Sequence, residues 1–212
     1  MNELIPALLA NDEAEFRERV DRLKSEFSLF QIDVMDGAFV PNRSWFDIET
    51  LRGMEKTPLF ELHLMVMDPA SYVNEAIKLE NVVRCIWHIE ATANHPGLIH
   101  ACHAAGKEAG LAVNPSTPKS LLAALYDDVD EILIMGAEPG FSGSAMDPRM
   151  VGRAARLHEE YPKLPIGFDI NVNEKTIPEI KKAGVSRFYA ASAIFDARDP
   201  LETAKGLRGL VS

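Results

Sequence analysis

Two aspartates that follow a short apolar run are the residues of this chain that most clearly suggest chemistry. The run FQIDVMDGAFVPN at 30–42 predicts a buried strand that ends in Asp33, with Asp36 and a turn at Gly37 close behind. A carboxylate at the end of a buried strand is costly unless it is paired or used. The same pattern is compatible with an Asx turn that only closes the strand, so other strand ends must decide between the two interpretations.

Polar side chains recur where other apolar runs end. A lone histidine at such a place is more often a satisfied core residue than a ligand, but a barrel of strands and helices brings these ends together around one mouth, where its chemistry is done. Aspartate and histidine converging there suit a divalent zinc, iron or manganese ion. Two carboxylates on opposite sides of a pocket also suit acid–base chemistry. The residues are Gln31, Asp33, His63, His88, Glu90, Asn114 and Asp169.

A glycine-rich segment, GAEPGFSGSAMDP at 136–148, follows the sixth apolar run. Its glycines allow close backbone approach, and consecutive amides could bind a phosphate. A flexible connecting loop is the alternative. Ala191-Ser192 ends the eighth run and begins a short helical turn, and barrels often hold phosphate at such a helix start.

The elements that would position these residues alternate along the chain. Helix-start signals lie between the apolar runs: Asp12 as a cap, then Asp68-Pro69, Thr117-Pro118, Asp147-Pro148 and Asp199-Pro200. We therefore predict one α/β domain over residues 1–212, a (β/α)8 TIM barrel with parallel strands. A doubly wound sheet is the alternative, disfavoured because no GxGxxG follows the first strand. The predicted strands are Leu4–Leu9, Leu29–Val34, Leu59–Val66, Val82–Ile89, Glu108–Val113, Glu131–Met135, Pro165–Asp169 and Arg187–Ala190.

The composition excludes some classes of partner. The chain has 212 residues, 47% of them hydrophobic, and a net charge of −10, which argues against a nucleic acid or a membrane surface as partner. An anionic small molecule is not excluded, because backbone amides bind phosphate without net positive charge. Cys85 and Cys102 form no CxxC motif, and we expect both to be reduced core residues. No signal peptide is visible, so we expect a cytoplasmic protein.

With these residues in view, the chain resembles the ribulose-phosphate 3-epimerase family nearly from end to end. DVMDGAFVPN at 33–42 is close to the most specific signature of that family. HLMV at 63–66, HIEAT at 88–92, NPSTP at 114–118, EPGFSG at 138–143 and SAIF at 192–195 follow in the expected order and spacing.

The resemblance implies an isomerase, a barrel of the ribulose-phosphate-binding type that interconverts D-ribulose 5-phosphate and D-xylulose 5-phosphate in the pentose phosphate pathway. Asp33 and Asp169 would be the two acids that exchange protons at C3 through an ene-diolate. It also implies a sugar-phosphate ligand, a homo-oligomer, and a divalent metal held by Gln31, Asp33, His63 and Asp169. The other implied residues contact substrate (His63, Met35, Met65, Met135 and Asn114) or its phosphate (Gly140, Phe141, Ser142, Gly143, Asn171, Ala191 and Ser192).

Several positions depart from the family pattern. Gln31 replaces a metal-binding histidine, and a neutral amide oxygen is a weaker ligand than imidazole, so the metal could be weakly bound, different or absent. Ala7 replaces a serine, Ile170-Asn171 replaces a glycine pair, and Ala191 replaces a glycine. Two alternatives therefore stay open. One is a related barrel enzyme for another ketose phosphate, such as a ketohexose 6-phosphate. The other is a non-catalytic sugar-phosphate-binding homologue.

Overall fold

A closed barrel of parallel strands, hydrogen-bonded in chain order, forms the centre of the computed structural model. The structure describes residues 2–54, 57–91, 94–140 and 145–212. The predicted barrel is confirmed, and the predicted strands agree with the observed ones to within a residue at most ends. The strands are β1 (Glu3–Leu8), β2 (Leu29–Met35), β3 (Leu59–Met65), β4 (Val82–His88), β5 (Glu108–Val113), β6 (Glu131–Met135), β7 (Ile166–Asp169) and β8 (Arg187–Ala190).

Helices surround the barrel and connect its strands. Among the described residues, no helix has the length and apolar character needed to cross a bilayer. The helices are α1 (Glu13–Leu23), α2 (Ile48–Arg52), α3 (Pro69–Ala76), α4 (His95–Ala104), α5 (Arg149–Glu160), α6 (Ile177–Lys182), α7 (Ser192–Phe195) and α8 (Pro200–Val211), with a 3₁₀ turn at Lys119–Leu121.

Most predicted helix starts are confirmed by their caps. The side chains of Asp12, Asp68 and Asp199 each accept a hydrogen bond from a backbone N–H in the first turn of their helix. This bond satisfies one of the donors that every helix start leaves free. Asp147 accepts the N–H of Arg149 at 2.9 Å, so that helix begins one residue later than predicted.

The start predicted at Thr117-Pro118 is wrong. The chain forms only the 3₁₀ turn there, followed by further turns up to β6. The Thr117 hydroxyl, which could have capped a helix, instead donates to the Glu90 carboxylate, and no side chain caps the 3₁₀ turn. The barrel therefore has no α-helix between β5 and β6.

Strand alternation sorts the side chains into an apolar outer face and a polar inner face. Phe30, Ile32 and Val34 of β2 are buried in the main core, which lies between the barrel and the helices. Because successive side chains point to opposite faces, Gln31 and Asp33 point into the barrel. Gln31 lies opposite Glu61 of β3, and Asp33 lies opposite His63. Register thus places Asp33 beside His63 at the carboxyl end.

The barrel interior has three layers. At the bottom, charged side chains from β3 to β8 form an ion network made of the largely buried Glu61, Arg84, Glu131 and Arg187 and the half-exposed Glu108. The middle layer is an apolar cluster that includes Ile86, Leu133 and Tyr189. The top layer carries the polar side chains of the candidate site.

Candidate active site

Asp33, His63 and Asp169 meet at the carboxyl ends of their strands. His63 Nδ1 lies 3.0 Å from Asp33 Oδ1 and 3.5 Å from Asp169 Oδ2. One ligand atom from each of the three lies within 4.8 Å of the others, and all three residues are buried. This spacing is small enough for one metal ion to contact all three side chains.

The two aspartates lie so close together that a proton on one of them, or a cation between them, lowers their electrostatic repulsion. Burial, with the nearby charge of Asp33, raises the pKa of Asp169 to about 7, although His63 and the N–H of Ile170 oppose the shift. Burial alone would lower the pKa of His63, but its hydrogen bond to Asp33 and the charges of both aspartates raise it. Two carboxylates so close together resist being ionised at once. Asp169 can therefore carry a proton near neutral pH.

Gln31 is fully buried below Asp33. Its Nε2 donates a hydrogen bond to Asp33 Oδ1 at 2.9 Å, and its Oε1 has no hydrogen-bond partner among the described residues. A buried acceptor without a donor costs about 1–3 kcal/mol. An amide oxygen, an imidazole nitrogen and two carboxylates form a donor set that suits a divalent metal. The side chains present therefore fit such an ion.

A second histidine and a glutamate lie behind His63. His63 Nε2 is 3.1 Å from His88 Nε2, and His88 Nδ1 is 3.5 Å from Glu90 Oε2. Burial lowers the pKa of His88 to about 4, so this ring is neutral and accepts the Nε2–H of His63. Burial would raise the pKa of Glu90, but its contacts with His88 and Thr117 lower it to about 2. The contact with His88 Nε2 holds the ring of His63 and leaves its Nδ1 facing the aspartates, while His88 Nδ1 approaches Glu90 without a hydrogen bond among the described residues.

Three methionines line the cavity above the aspartates. Met35 and Met65 pack with Val40 in one apolar cluster, while Met135 belongs to the middle layer of the barrel. Thioether side chains adapt to irregular surfaces. They give the cavity an apolar surface beside the cluster.

The opposite wall of the cavity is the predicted phosphate side. Gly140, Asn171, Ala191 and Ser192 all line it. Phe141, Ser142 and Gly143, also predicted to contact phosphate, lie outside the described residues. The cavity has a volume of 50 Å³, enough for water but small for a sugar phosphate.

Ile170 and Asn171 adopt left-handed backbone angles, with φ of 72° and 61°. Asparagine tolerates this region, whereas a β-branched residue there is strained. The Ile170 N–H donates to Asp169 Oδ1 at 2.6 Å, and the Asn171 carbonyl accepts the Thr176 hydroxyl at 2.6 Å. The chain therefore keeps a backbone shape suited to glycine and adds two side chains at the cavity wall.

The residues that line the cavity are not all the ones predicted to contact the substrate. Asn114 is not among the residues that line this cavity in the described chain. Its N–H donates to Glu90 at 3.2 Å and its carbonyl accepts from Arg153 at 3.0 Å. Leu9, Val172 and Tyr189 do line the cavity but were not predicted. For Leu9 and Tyr189, the alternation of side chains along β1 and β8 predicts that they point into the barrel. It does not predict how close to the cavity each side chain lies.

Comparisons with known proteins agree with the motifs. A family profile described as "Ribulose-phosphate 3 epimerase family" matches residues 3–195. A ribulose-phosphate 3-epimerase of Schizosaccharomyces pombe is 32% identical, covering 98% of this chain and 93% of its own length. That of Mycobacterium leprae is also 32% identical, covering 97% and 93%.

Solved structures support the fold. A 3-hexulose-6-phosphate synthase superimposes with a TM-score of 0.73 at 17% identity, covering 100% of both chains. A 3-keto-L-gulonate-6-phosphate decarboxylase of Vibrio cholerae gives a TM-score of 0.74 at 13% identity, covering 100% of this chain and 98% of its own. At this identity the likeness establishes the barrel and no particular reaction.

Proposed function

The chain belongs to the ribulose-phosphate 3-epimerase family, and we propose that Asp33 and Asp169 carry the interconversion of D-ribulose 5-phosphate and D-xylulose 5-phosphate. The enzyme is an isomerase that acts on a carbohydrate phosphate. The observation that carries the residue assignment is the convergence of two carboxylates, from β2 and β7, on one buried histidine.

The reaction inverts C3, which lies next to the C2 ketone, so each face of the substrate needs its own acid–base group. In one direction the carboxylate of Asp33 accepts the C3 proton, and the carboxylic acid of Asp169 donates a proton to the opposite face. The raised pKa of Asp169, about 7, supports this starting state. In the reverse direction the two residues exchange roles.

Gln31, Asp33, His63 and Asp169 would hold the divalent metal. When bound, it supplies the positive charge that an ene-diolate needs. His88 keeps the ring of His63 in place, and Met35, Met65 and Met135 keep water away from the reacting carbons.

The phosphate of the substrate would lie against the loop at 140–143, Asn171 and the amides at Ala191 and Ser192. Gly140, Asn171, Ala191 and Ser192 line the same cavity as the two aspartates, which supports this placement. We also propose a cytoplasmic location, since a rice relative that is 32% identical is named as a cytoplasmic isoform. The homo-oligomer stays a prediction.

A different ketose phosphate is the second candidate, because Ile170 and Asn171 narrow the phosphate side. The cavity of 50 Å³ is small for either sugar phosphate and does not separate them. The relatives named as ribulose-phosphate 3-epimerases, 32% identical over nearly the whole chain, favour the five-carbon substrate over a ketohexose 6-phosphate.

Replacement of either acid tests the proposal. We expect Asp33→Asn and Asp169→Asn each to lower solvent deuterium incorporation at C3 by about 10²- to 10⁴-fold, because a carboxamide cannot exchange the proton. Mass spectrometry of ribulose 5-phosphate incubated in D₂O measures the exchange. Asp21→Asn, on the exposed face of α1, is the matched control and should retain full exchange. Exchange that persists in both variants would move the chemistry to other residues.

A further inference from the structure

A second cavity lies outside the barrel, between α5 and the segment that connects β5 to β6. Its volume is 320 Å³, and it shares no lining residue with the catalytic cavity. It exists where the barrel lacks an α-helix, because the 3₁₀ turn at Lys119–Leu121 covers α5 incompletely. Its size falls at the lower end of the range of small-molecule sites.

Four cationic side chains line this cavity in a chain whose net charge is −10. Two of them are paired: Lys119 with Glu160, and Arg149 with Asp147 at 2.6 Å. Arg153 and Arg156, one turn apart on α5, make no ion pair with any carboxylate in the described ranges. The cavity therefore carries two positive charges that form no ion pair among the described residues, although the Glu90 carboxylate is near enough to Arg153 to raise the pKa of its guanidinium.

Arg153 is held in place but incompletely bonded. Its Nη1 donates to the Asn114 carbonyl at 3.0 Å, whereas its Nη2 is buried without a hydrogen-bond partner in the described chain. Burial lowers the pKa of Arg153 from its usual value, against the opposing effects of Tyr126 and Glu90 and with a smaller contribution from Arg156. An unpaired buried donor is costly, and an oxyanion would satisfy it once the guanidinium turns towards the cavity, because Nη2 is shielded from solvent.

The remaining walls of the cavity are mainly apolar. They include Leu122, Tyr126, Ile132, Met150 and Leu157. Guanidinium groups bind phosphate with parallel hydrogen bonds, and an aromatic ring offers a flat surface to an apolar group. We propose that this cavity, the α5 pocket, binds a small phosphate monoester that has an aromatic or apolar body. The phosphate contacts Arg153 and Arg156, and the body packs on Tyr126 and its neighbours.

Calorimetric titration with phenyl phosphate tests the α5 pocket, with inorganic phosphate and benzyl alcohol as partial probes. We expect phenyl phosphate to bind more tightly than either partial probe. Arg156→Gln should weaken it by about tenfold, which is the loss of about 1.4 kcal/mol. Arg156 is exposed and lies outside the catalytic cavity, so kcat/KM for ribulose 5-phosphate should stay unchanged in this variant.

Two controls separate this pocket from other phosphate sites. Arg149→Gln removes a cation already paired with Asp147 and should weaken binding much less than Arg156→Gln. Phenyl phosphate bound in the catalytic cavity would inhibit competitively and would not respond to Arg156→Gln. The proposal is overturned if phenyl phosphate fails to bind at millimolar concentration, if Arg156→Gln leaves its affinity unchanged, or if benzyl alcohol binds equally well.

Discussion

Gln31 is the residue that most distinguishes this site from the family pattern. It stands where the family resemblance implies a metal-binding histidine, and its amide already donates to Asp33. A neutral amide oxygen binds borderline divalent metals more weakly than imidazole. The buried Oε1 without a partner is the atom that would contact a cation.

Metal affinity should respond to this residue. We expect Gln31→His to tighten divalent metal binding by about tenfold or more, equivalent to about 1.4 kcal/mol, and Gln31→Met to weaken it because the oxygen is lost. Competition with a chelator of known affinity measures both changes. Equal affinity in all three proteins would mean that Gln31 only hydrogen-bonds Asp33.

At the scale of elements, the turn between β7 and α6 narrows the phosphate side of the cavity. Ile170 has a φ of 72°, and a left-handed conformation costs a non-glycine residue roughly 1–2 kcal/mol. Its side chain packs against the middle layer of the barrel, which offsets part of that strain. This packing helps the fold to tolerate a strained residue beside the catalytic cavity.

Ile170→Gly should widen the phosphate side. We expect a several-fold lower KM for ribulose 5-phosphate, with the free energy of unfolding within about 1 kcal/mol of the parent, because relief of strain offsets lost packing. Steady-state kinetics and urea denaturation measure the two effects. Asn171→Gly is the matched control and should change stability less, since asparagine tolerates this backbone. An unchanged KM would show that Ile170 does not crowd the substrate.

The same elements show what the sequence could predict. Apolar runs located the strands, and Asp12, Asp68 and Asp199 located helix starts, because a cap is a local interaction. The pair Thr117-Pro118 carried the same local signal but failed, since the Thr117 hydroxyl donates to Glu90 and caps no helix. The α5 pocket lies where the predicted helix is missing, so it could not be predicted from the sequence.

The sequence predicted the parts of the site that lie at the carboxyl ends of strands. Asp33, His63 and Asp169 were found because each ends or nearly ends a strand, and a barrel brings those ends together. The chain from His63 through His88 to Glu90 depends on side-chain orientation across two strands. Alternation gives a face for each residue, but it does not give these distances.

At the scale of the whole molecule, the barrel interior holds ionisable side chains both below and above its apolar middle layer. Below that layer, Arg187 pairs with Glu131 at 2.6 Å and with Glu108 at 3.1 Å, and Arg84 pairs with Glu61 and Glu108. A Cβ at Gly167 would collide with Glu131, so a glycine is needed beside the network. Removing one partner from such a network leaves a buried charge uncompensated.

Burial raises the pKa of Glu61 to about 7, with Glu131 adding to the shift and Arg84 opposing it. The folded protein therefore holds this proton more tightly than the unfolded chain, whose carboxyl has its ordinary pKa of 4.5. The stability that results is fully present below that ordinary pKa and is lost as the pH rises through about 7. Asp169 acts in the same direction.

The free energy of unfolding of the metal-free protein should therefore fall as the pH rises from about 5 to about 7, with Glu61 and Asp169 together outweighing His88, whose pKa of about 4 acts in the opposite direction. We expect Glu61→Gln, which keeps the size of the side chain and its oxygen for Arg84, to reduce that fall by on the order of 2 kcal/mol. Urea denaturation with a chelator present measures the slope, and Glu18→Gln on the exposed face of α1 should leave it unchanged. The slope that remains in Glu61→Gln should combine Asp169, His63 and the opposing His88, and the part from Asp169 should shrink when a divalent metal displaces its proton. A slope that is the same in Glu61→Gln and the parent would mean that Glu61 is ionised in the folded barrel, with Arg84 outweighing the effect of burial.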